Sequence, residues 1–191
     1  SCLVGSEMCI RDRYKIERKA SGAYSLCVTM AIETVRAFLK EQGLEGRIHE
    51  FDSSSATVAL AAEALGTEPA RIAKTLSFVN GDTCILIVAA GDAKIDNRKF
   101  KDFFGRKATM LAPDEVLRLT GHAVGGVCPF ALPEGTAEVY MDISLQRFNT
   151  IFPAAGSSNS AIELSCDELA ALSASKCWID VCKGWQEEET A

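Results

Sequence analysis

The chain has 191 residues, of which 48% are hydrophobic and 24% charged, and its formal net charge is −6. That length and apolar content suit one compact domain with a sizeable core, and no apolar run approaches the roughly 20 residues of a membrane-spanning helix. An acidic balance argues against broad, sequence-blind binding to DNA or any other nucleic acid.

Residues 1–29 show neither sustained periodicity nor the order of a signal peptide. The string Ser6-Glu7-Met8-Cys9-Ile10-Arg11-Asp12-Arg13 resembles a translated sequencing-library adapter. Residues 1–29 are therefore read as a non-native or disordered extension, with Met30 as the natural start, 30–185 as the domain and 186–191 as an acidic tail. From Ala31 to Gln42, Ile32, Val35, Ala37, Phe38 and Leu39 recur at helical spacing, and Gly43 supplies the stop. Ser53-Ser54-Ser55 offers candidate N-caps for a helix carrying Val58, Ala61, Ala62 and Leu65, closed by Gly66. Pro69 opens a short helical turn.

The segment Ile72–Val79 has strand composition and ends at Asn80-Gly81, a hairpin-turn signal. Strand alternation puts Ile72, Lys74, Leu76 and Phe78 on one face. A lysine in phase with three apolar residues must snorkel out, find a partner or line a pocket. Cys84–Ala90 is an unbroken apolar run inside a strand Thr83–Ala90 that reads as buried on both faces. Asp96 caps a basic helix through Phe104, Ala108–Leu111 reads as a short strand, and Pro113 starts a helix that stops at Gly121. After the loop His122–Pro129, Glu138–Met141 reads as a strand, and Asp142 or Ser144 caps a short helix near Leu145 and Phe148. Thr150–Ala154 and Ala161–Leu164 read as strands, Asp167–Leu172 as a helix and Cys177–Cys182 as a last strand. Strands and helices interleave irregularly, which predicts a mixed α/β (α+β) domain.

Eight cysteines form no C-x-x-C pair, and His49 and His122 stand far from any pair that could complete a zinc site. No metal or cofactor is expected, and the reading is a reduced, cytoplasmic protein. Between Arg71 and Lys107, eight basic residues face four acids, a local charge of +4 against −10 for the remainder. Such a patch suits a partner presenting a few phosphates, and a solvated helix face explains it equally.

Four segments could carry chemistry: Lys74; the loop Val124-Gly125-Gly126-Val127-Cys128-Pro129; the polar loop Gly156-Ser157-Ser158-Asn159-Ser160; and Ser53–Thr57 at a helix N-terminus. No G-x-S-x-G elbow, H-E-x-x-H or Walker-type loop appears. Cys128 with His122 as base is a candidate nucleophile, although spacing alone does not bring them together.

Together these segments resemble the YbaK/EbsC-like aminoacyl-tRNA deacylases, relatives of the editing domain inserted in bacterial prolyl-tRNA synthetases. The resemblance runs from Met30 to the C-terminus. It rests on Ser54-Ser55-Ala56-Thr57, Arg71-Ile72-Ala73-Lys74-Thr75-Leu76, the G-x-x-x-P loop Gly125–Pro129 and Ala155-Gly156. It implies the YbaK/ProRS-associated editing-domain fold, a mixed sheet with flanking helices, and trans-editing of a small mischarged amino acid by a water-mediated mechanism without a protein nucleophile. Lys74 matches the family's key lysine, and Gly125 and Gly126 belong to the loop that offers backbone N–H groups to the ester. Ser55, Thr57, Val127, Cys128, Pro129, Asp142, Gly156, Ser157 and Ser158 are implied as substrate contacts. Arg98, Lys99 and Lys101 are expected to meet the tRNA acceptor end, and an aminoacyl-tRNA synthetase is a second expected partner; no membrane or DNA is. Cys128 and the Ser-Ser-Asn-Ser run depart from the residues that relatives carry there, which bears on which amino acid fits. The rival readings are a non-catalytic aminoacyl-adenosine or tRNA binding module and a cysteine hydrolase using Cys128.

Overall fold

The computed structural model describes residues 21–52 and 54–186, with residues 21–30 as backbone only. The expectations for the N-terminal extension, and for most of the acidic tail, fall largely outside those residues. At the centre, strands β2 (Ile72–Asn80) and β3 (Thr83–Ala90) pair antiparallel from Ala73↔Ala90 to Asn80↔Thr83. This register makes Gly81 and Asp82 the turn, one residue later than the Asn-Gly dipeptide suggests. Gly81 takes φ +66°, a conformation that costs glycine little. Every residue from Cys84 to Ala90 is buried, as a strand covered on both faces requires. Burying Leu86, Ile87 and Val88 contributes about 1.5–3 kcal/mol each.

Strand β5 (Ala137–Asp142) adds parallel to β3, β6 (Phe152–Pro153) parallel to β2, and β8 (Trp178–Ile179) parallel to β5. The result is a five-stranded mixed sheet in the order β6-β2-β3-β5-β8. Two small antiparallel pairs accompany it: β1 (Ile48–Glu50) with β7 (Ser160–Ile162), and β4 (Lys94–Ile95) with β9 (Cys182–Lys183). The helices are α1 (Ser21–Glu41), α2 (Val58–Leu65), α3 (Asn97–Phe104), α4 (Pro113–Thr120) and α5 (Cys166–Leu172). On α3, Phe100 lies 4.9 Å from Phe78 and Phe104 lies 5.2 Å from Tyr140, so this helix covers the sheet face that carries Lys74. The fold is the mixed α/β arrangement that the irregular alternation predicts.

Helices with strong punctuation lie where the sequence puts them. Asp96 caps α3 by accepting from Arg98 and Lys99 N–H, and α4 runs from Pro113 to its stop at Gly121. Thr57, rather than Ser54 or Ser55, caps α2, accepting from Leu60 N–H at 3.3 Å. Helix α1 begins at Ser21, ahead of the first residue that periodicity assigns. Ala108–Leu111 makes only a bridge, Phe78↔Met110, on the edge of β2 that β6, stopping beside Ala73, leaves free. The expected strand Cys177–Cys182 is two strands. Between them Val181 gives its N–H to Asp142 at 3.0 Å and its carbonyl to Asp96 N–H at 2.8 Å, so the chain leaves β5 and joins β4. β1 and β4, both short, carry no strand signal in the sequence.

Arg47, just before β1, meets Glu168 of α5 at 2.8 and 3.1 Å, and Glu168 also closes a capping box with Ser165. The hydrogen bond from Arg47, followed by the one from Ser165 N–H, holds the Glu168 carboxyl down at about 2. A depressed carboxyl pKa stabilises the fold above the ordinary value of 4.5, and that stability is lost as pH falls towards about 2. Glu168 is 40% exposed, so the contribution is modest. Glu168→Gln should cost under about 1 kcal/mol near neutral pH. In urea titrations the gap from wild type should close as the pH approaches that of the folded carboxyl.

Candidate functional site

Past Gly121 the chain follows the glycine loop with no regular structure. Gly125 takes φ +93°, and Gly126 donates its N–H to the Ala123 carbonyl at 3.0 Å. A Cβ on Gly125 would stand 2.9 Å from the Cβ of Ala56 and 3.5 Å from that of Ser158. One on Gly126 would stand 2.7 Å from the Cα and carbonyl carbon of Ser157. Ser55 completes the contact, its N–H reaching the Ser158 carbonyl at 2.6 Å and its hydroxyl at 3.1 Å. The Ser55 segment, the glycine loop and the Gly156 loop therefore converge, as their separate sequence signals do not reveal.

Within this cluster most polar side chains are spent. The Ser157 hydroxyl lies 2.7 Å from that of Ser160 and is buried, while Thr57 is committed to its cap. Of the two glycines expected to present N–H groups, Gly126 has given its own to Ala123. Among the described residues, the N–H groups of Gly125 and Val127 make no hydrogen bond within the chain. Pro129 is buried and has no N–H to offer. Gly156 takes φ +94°, and a Cβ there would stand 2.9 Å from Val35 Cγ2 and 3.0 Å from the Ala31 carbonyl oxygen, so α1 rests on it.

Lys74 solves its burial by finding partners. Its stem runs past the small Ala89 opposite it on β3, and Nζ donates to the carbonyls of Gly91, at 3.0 Å, and Ala93. Burial lowers its pKa, opposed by the nearby Cys182 and Asp92. No hydrogen bond joins Lys74 to the glycine loop among the described residues. The connection runs through Gly91, where a Cβ would stand 2.0 Å from the Pro69 carbonyl oxygen and 2.6 Å from Val58, the first residue of α2. Two residues earlier, Ala56 touches Gly125. Gly91 was not visible as a site residue, because an Ala-Ala-Gly strand end looks like any other.

Cys128 and His122 do meet: Sγ lies 3.5 Å from Nε2. The chemistry of a nucleophile does not follow. Cys128 is fully buried, and burial pushes its thiol up to about 12 although the N–H groups of Phe130 and Gly156 face the sulfur. Nε2 also lies 2.9 Å from the Phe130 carbonyl, which can only accept, so that nitrogen carries the hydrogen and cannot take the thiol's proton. Cys128 is a junction between two loops.

Asp142 does not join the loop cluster. It is fully buried on the α3 face, and its carboxylate accepts from Ser144 N–H and Val181 N–H, both at 3.0 Å. In the basic stretch, Lys99 is tied to Asp180 at 2.7 Å and to the Cys182 carbonyl at 3.2 Å. Arg98, 92% exposed, and Lys101 are the cations left facing solvent on α3. Arg71 is held by Thr150 and stacks 5.0 Å from the Phe152 ring. Among the described residues, no group of three His, Cys, Asp or Glu stands close enough to hold a metal ion, and no helix is long and apolar enough to cross a membrane.

A family model described as "Aminoacyl-tRNA editing domain" matches residues 52–172, which include all four candidate segments. The "Uncharacterized protein YwhH" of Bacillus subtilis is 57% identical over 158 residues, covering 82% of this chain and 100% of that protein. The "Putative Cys-tRNA(Pro)/Cys-tRNA(Cys) deacylase EbsC" of Enterococcus faecalis is 30% identical over 113 residues, 58% of this chain and 68% of that protein. Among solved structures, "a putative trans-editing enzyme for prolyl tRNA synthetase" superposes with a TM-score of 0.72 at 28% identity, covering 81% of this chain and 98% of that one.

Gly126 is absent from the residues with positive φ, so its requirement is steric. Gly126→Ala should destabilise the protein by about 1–3 kcal/mol through collision with the Ser157 backbone. Val127→Ala, measured by the same urea titration, should cost less.

Proposed function

The chain belongs to the aminoacyl-tRNA editing domain family, and from that premise we propose that it is a cytoplasmic trans-editing deacylase. Its substrate is the ester of a small, wrongly attached amino acid, cysteine or alanine, on a proline tRNA. The observation that carries this reading is the convergence of Gly125–Gly126 on Ala56 and Ser157, with the N–H groups of Gly125 and Val127 left unspent. The name given to the Enterococcus faecalis relative supports cysteine as the amino acid, and the trans-editing structure supports the tRNA. A synthetase that hands over the mischarged tRNA belongs to the same proposal.

The two unspent N–H groups take the ester carbonyl oxygen, which becomes an oxyanion when water adds to the carbonyl carbon. Such preorganised donors are typically worth about 3 kcal/mol each. The bond from that carbon to the ribose oxygen then breaks, and the ribose oxygen leaves with the proton of the attacking water. A neighbouring ribose hydroxyl of the tRNA helps hold the water, and no protein nucleophile is required. Lys74 exchanges a backbone carbonyl for the substrate and grips the acceptor end. A hydrophobic pocket separates amino acids differing by one methylene by only about 10–200-fold, which is why synthetases benefit from such a second site.

Purified protein should therefore deacylate proline tRNA charged with cysteine or alanine faster than the correctly charged tRNA, and failure on every charged tRNA of a panel would sink the reading. Lys74→Ala should lower kcat/KM roughly hundredfold, whereas Cys128→Ala should lower it no more than about tenfold; loss of all turnover in Cys128→Ala would favour a cysteine hydrolase instead. Arg98→Glu with Lys101→Glu should weaken tRNA binding and flatten its salt dependence, with filter binding at several ionic strengths as the check.

A further inference from the structure

His122 is buried to 2% exposure and takes no part in the chemistry above, yet it spans the glycine loop from one end to the other. Its backbone N–H donates to Thr120 Oγ1 at 3.1 Å, and that hydroxyl donates in turn to the Val116 carbonyl at 2.7 Å, so the first residue of the loop is clamped to α4. Its ring Nε2–H donates to the carbonyl of Phe130 at 2.9 Å, just past the loop's last residue. Phe130 is itself locked in the core, fully buried with its ring 6.2 Å from that of Phe38. The opposite ring nitrogen, Nδ1, is buried with no partner. A buried histidine with one nitrogen left unsatisfied is costly unless the other makes a contact the fold needs. A leucine would fill the same space without an orphaned atom, so packing alone does not account for the imidazole.

We infer that His122 is a positioning residue, a strut between α4 and Phe130 that fixes the span of the glycine loop and so holds the N–H groups of Gly125 and Val127 where the ester carbonyl is received. The inference rests on the proposed deacylase reading. The strut leaves the bottom of the loop no slack: Gly126 already lies against the Ser157 backbone, and Cys128 lies between the ring and the N–H of Gly156. Shifting Phe130 relative to His122 therefore moves the amides at the loop's top. Displacements on the order of 1 Å at a reacting centre can cost about a hundredfold in rate.

The test compares His122→Leu, which keeps the volume and removes the donor, with His122→Gln, whose side-chain amide can reach the Phe130 carbonyl. His122→Leu should lower kcat for deacylation roughly ten- to hundredfold with KM changed less than about threefold, while His122→Gln should return kcat to within about threefold of wild type. Amide hydrogen exchange at Gly126, whose N–H is bonded to the Ala123 carbonyl inside the loop, should accelerate at least about tenfold in the leucine variant and stay near wild type in the glutamine variant. If the leucine variant does not fold, His122→Asn, whose shorter amide falls short of Phe130, replaces it with the same expectations. Wild-type kcat and exchange in the leucine or asparagine variant would overturn the strut, and so would a glutamine variant as impaired as leucine. Should the wild-type protein fail on every charged tRNA, the deacylase reading falls, and the exchange measurement alone still decides whether His122 holds the loop.

Discussion

Gly126 lies so close to the Ser157 backbone that even a methyl group would meet main-chain atoms, which cannot swing aside as a side-chain tip can. Everything at the candidate site depends on this approach. It puts the loop after α4 against the loop after β6, and Gly125 extends the contact to Ala56 at the start of α2. β6 lies beside the first residues of β2 in parallel register, Ala73↔Pro153, so the Gly156 loop issues next to the strand that carries Lys74. On its far side, Gly156 gives α1 the same freedom of approach. Three segments distant in sequence thus meet through backbone, with little tolerance for displacement.

The side chains around this contact follow one economy: most of their polar groups are satisfied inside the protein. Lys74 is desolvated, and two carbonyls at the end of β3 favour its charged form. Asp142 accepts from Ser144 N–H just after β5 and from Val181 N–H between β8 and β9, and after burial it is the next cause that pushes the Cys182 thiol up. Asn159 and Phe51 exchange hydrogen bonds at 2.9 Å, which prolongs the β1–β7 pairing up to the site. Against that background, several main-chain amides of the glycine loop, those of Gly125 and Val127 among them, have no hydrogen-bond partner among the described residues and are free to meet a ligand.

Much of the frame could be read from sequence because its signals are local. Asp96 and Gly105 bound α3, Pro113 and Gly121 bound α4, and an unbroken apolar run marks the buried strand β3. Lys74 stood out as the wrong chemistry on an apolar face, and the resemblance of its segment to known editing domains pointed to the same place. The features without a local signal are non-local contacts. Gly91 matters only because Pro69 and Val58 fold onto it, and Thr57 out-competes the preceding serines as a cap through backbone geometry. The break between β8 and β9 depends on an aspartate almost forty residues earlier in the chain. Nothing near Lys99 in the sequence marks its partner, Asp180, which lies far along the chain.

Cys128 and His122 show why proximity alone does not make a catalytic pair. The ring nitrogen facing the sulfur holds its hydrogen on a carbonyl, and a fully buried thiol pushed up to about 12 supplies almost no thiolate near neutral pH. The groups left to act on a substrate are then main-chain amides, whose chemistry is the same in every residue that has one. A substitution can change such a site only by moving its backbone or reshaping the wall beside it. That is why glycines at close contacts, rather than a run of reactive side chains, mark the site in this sequence.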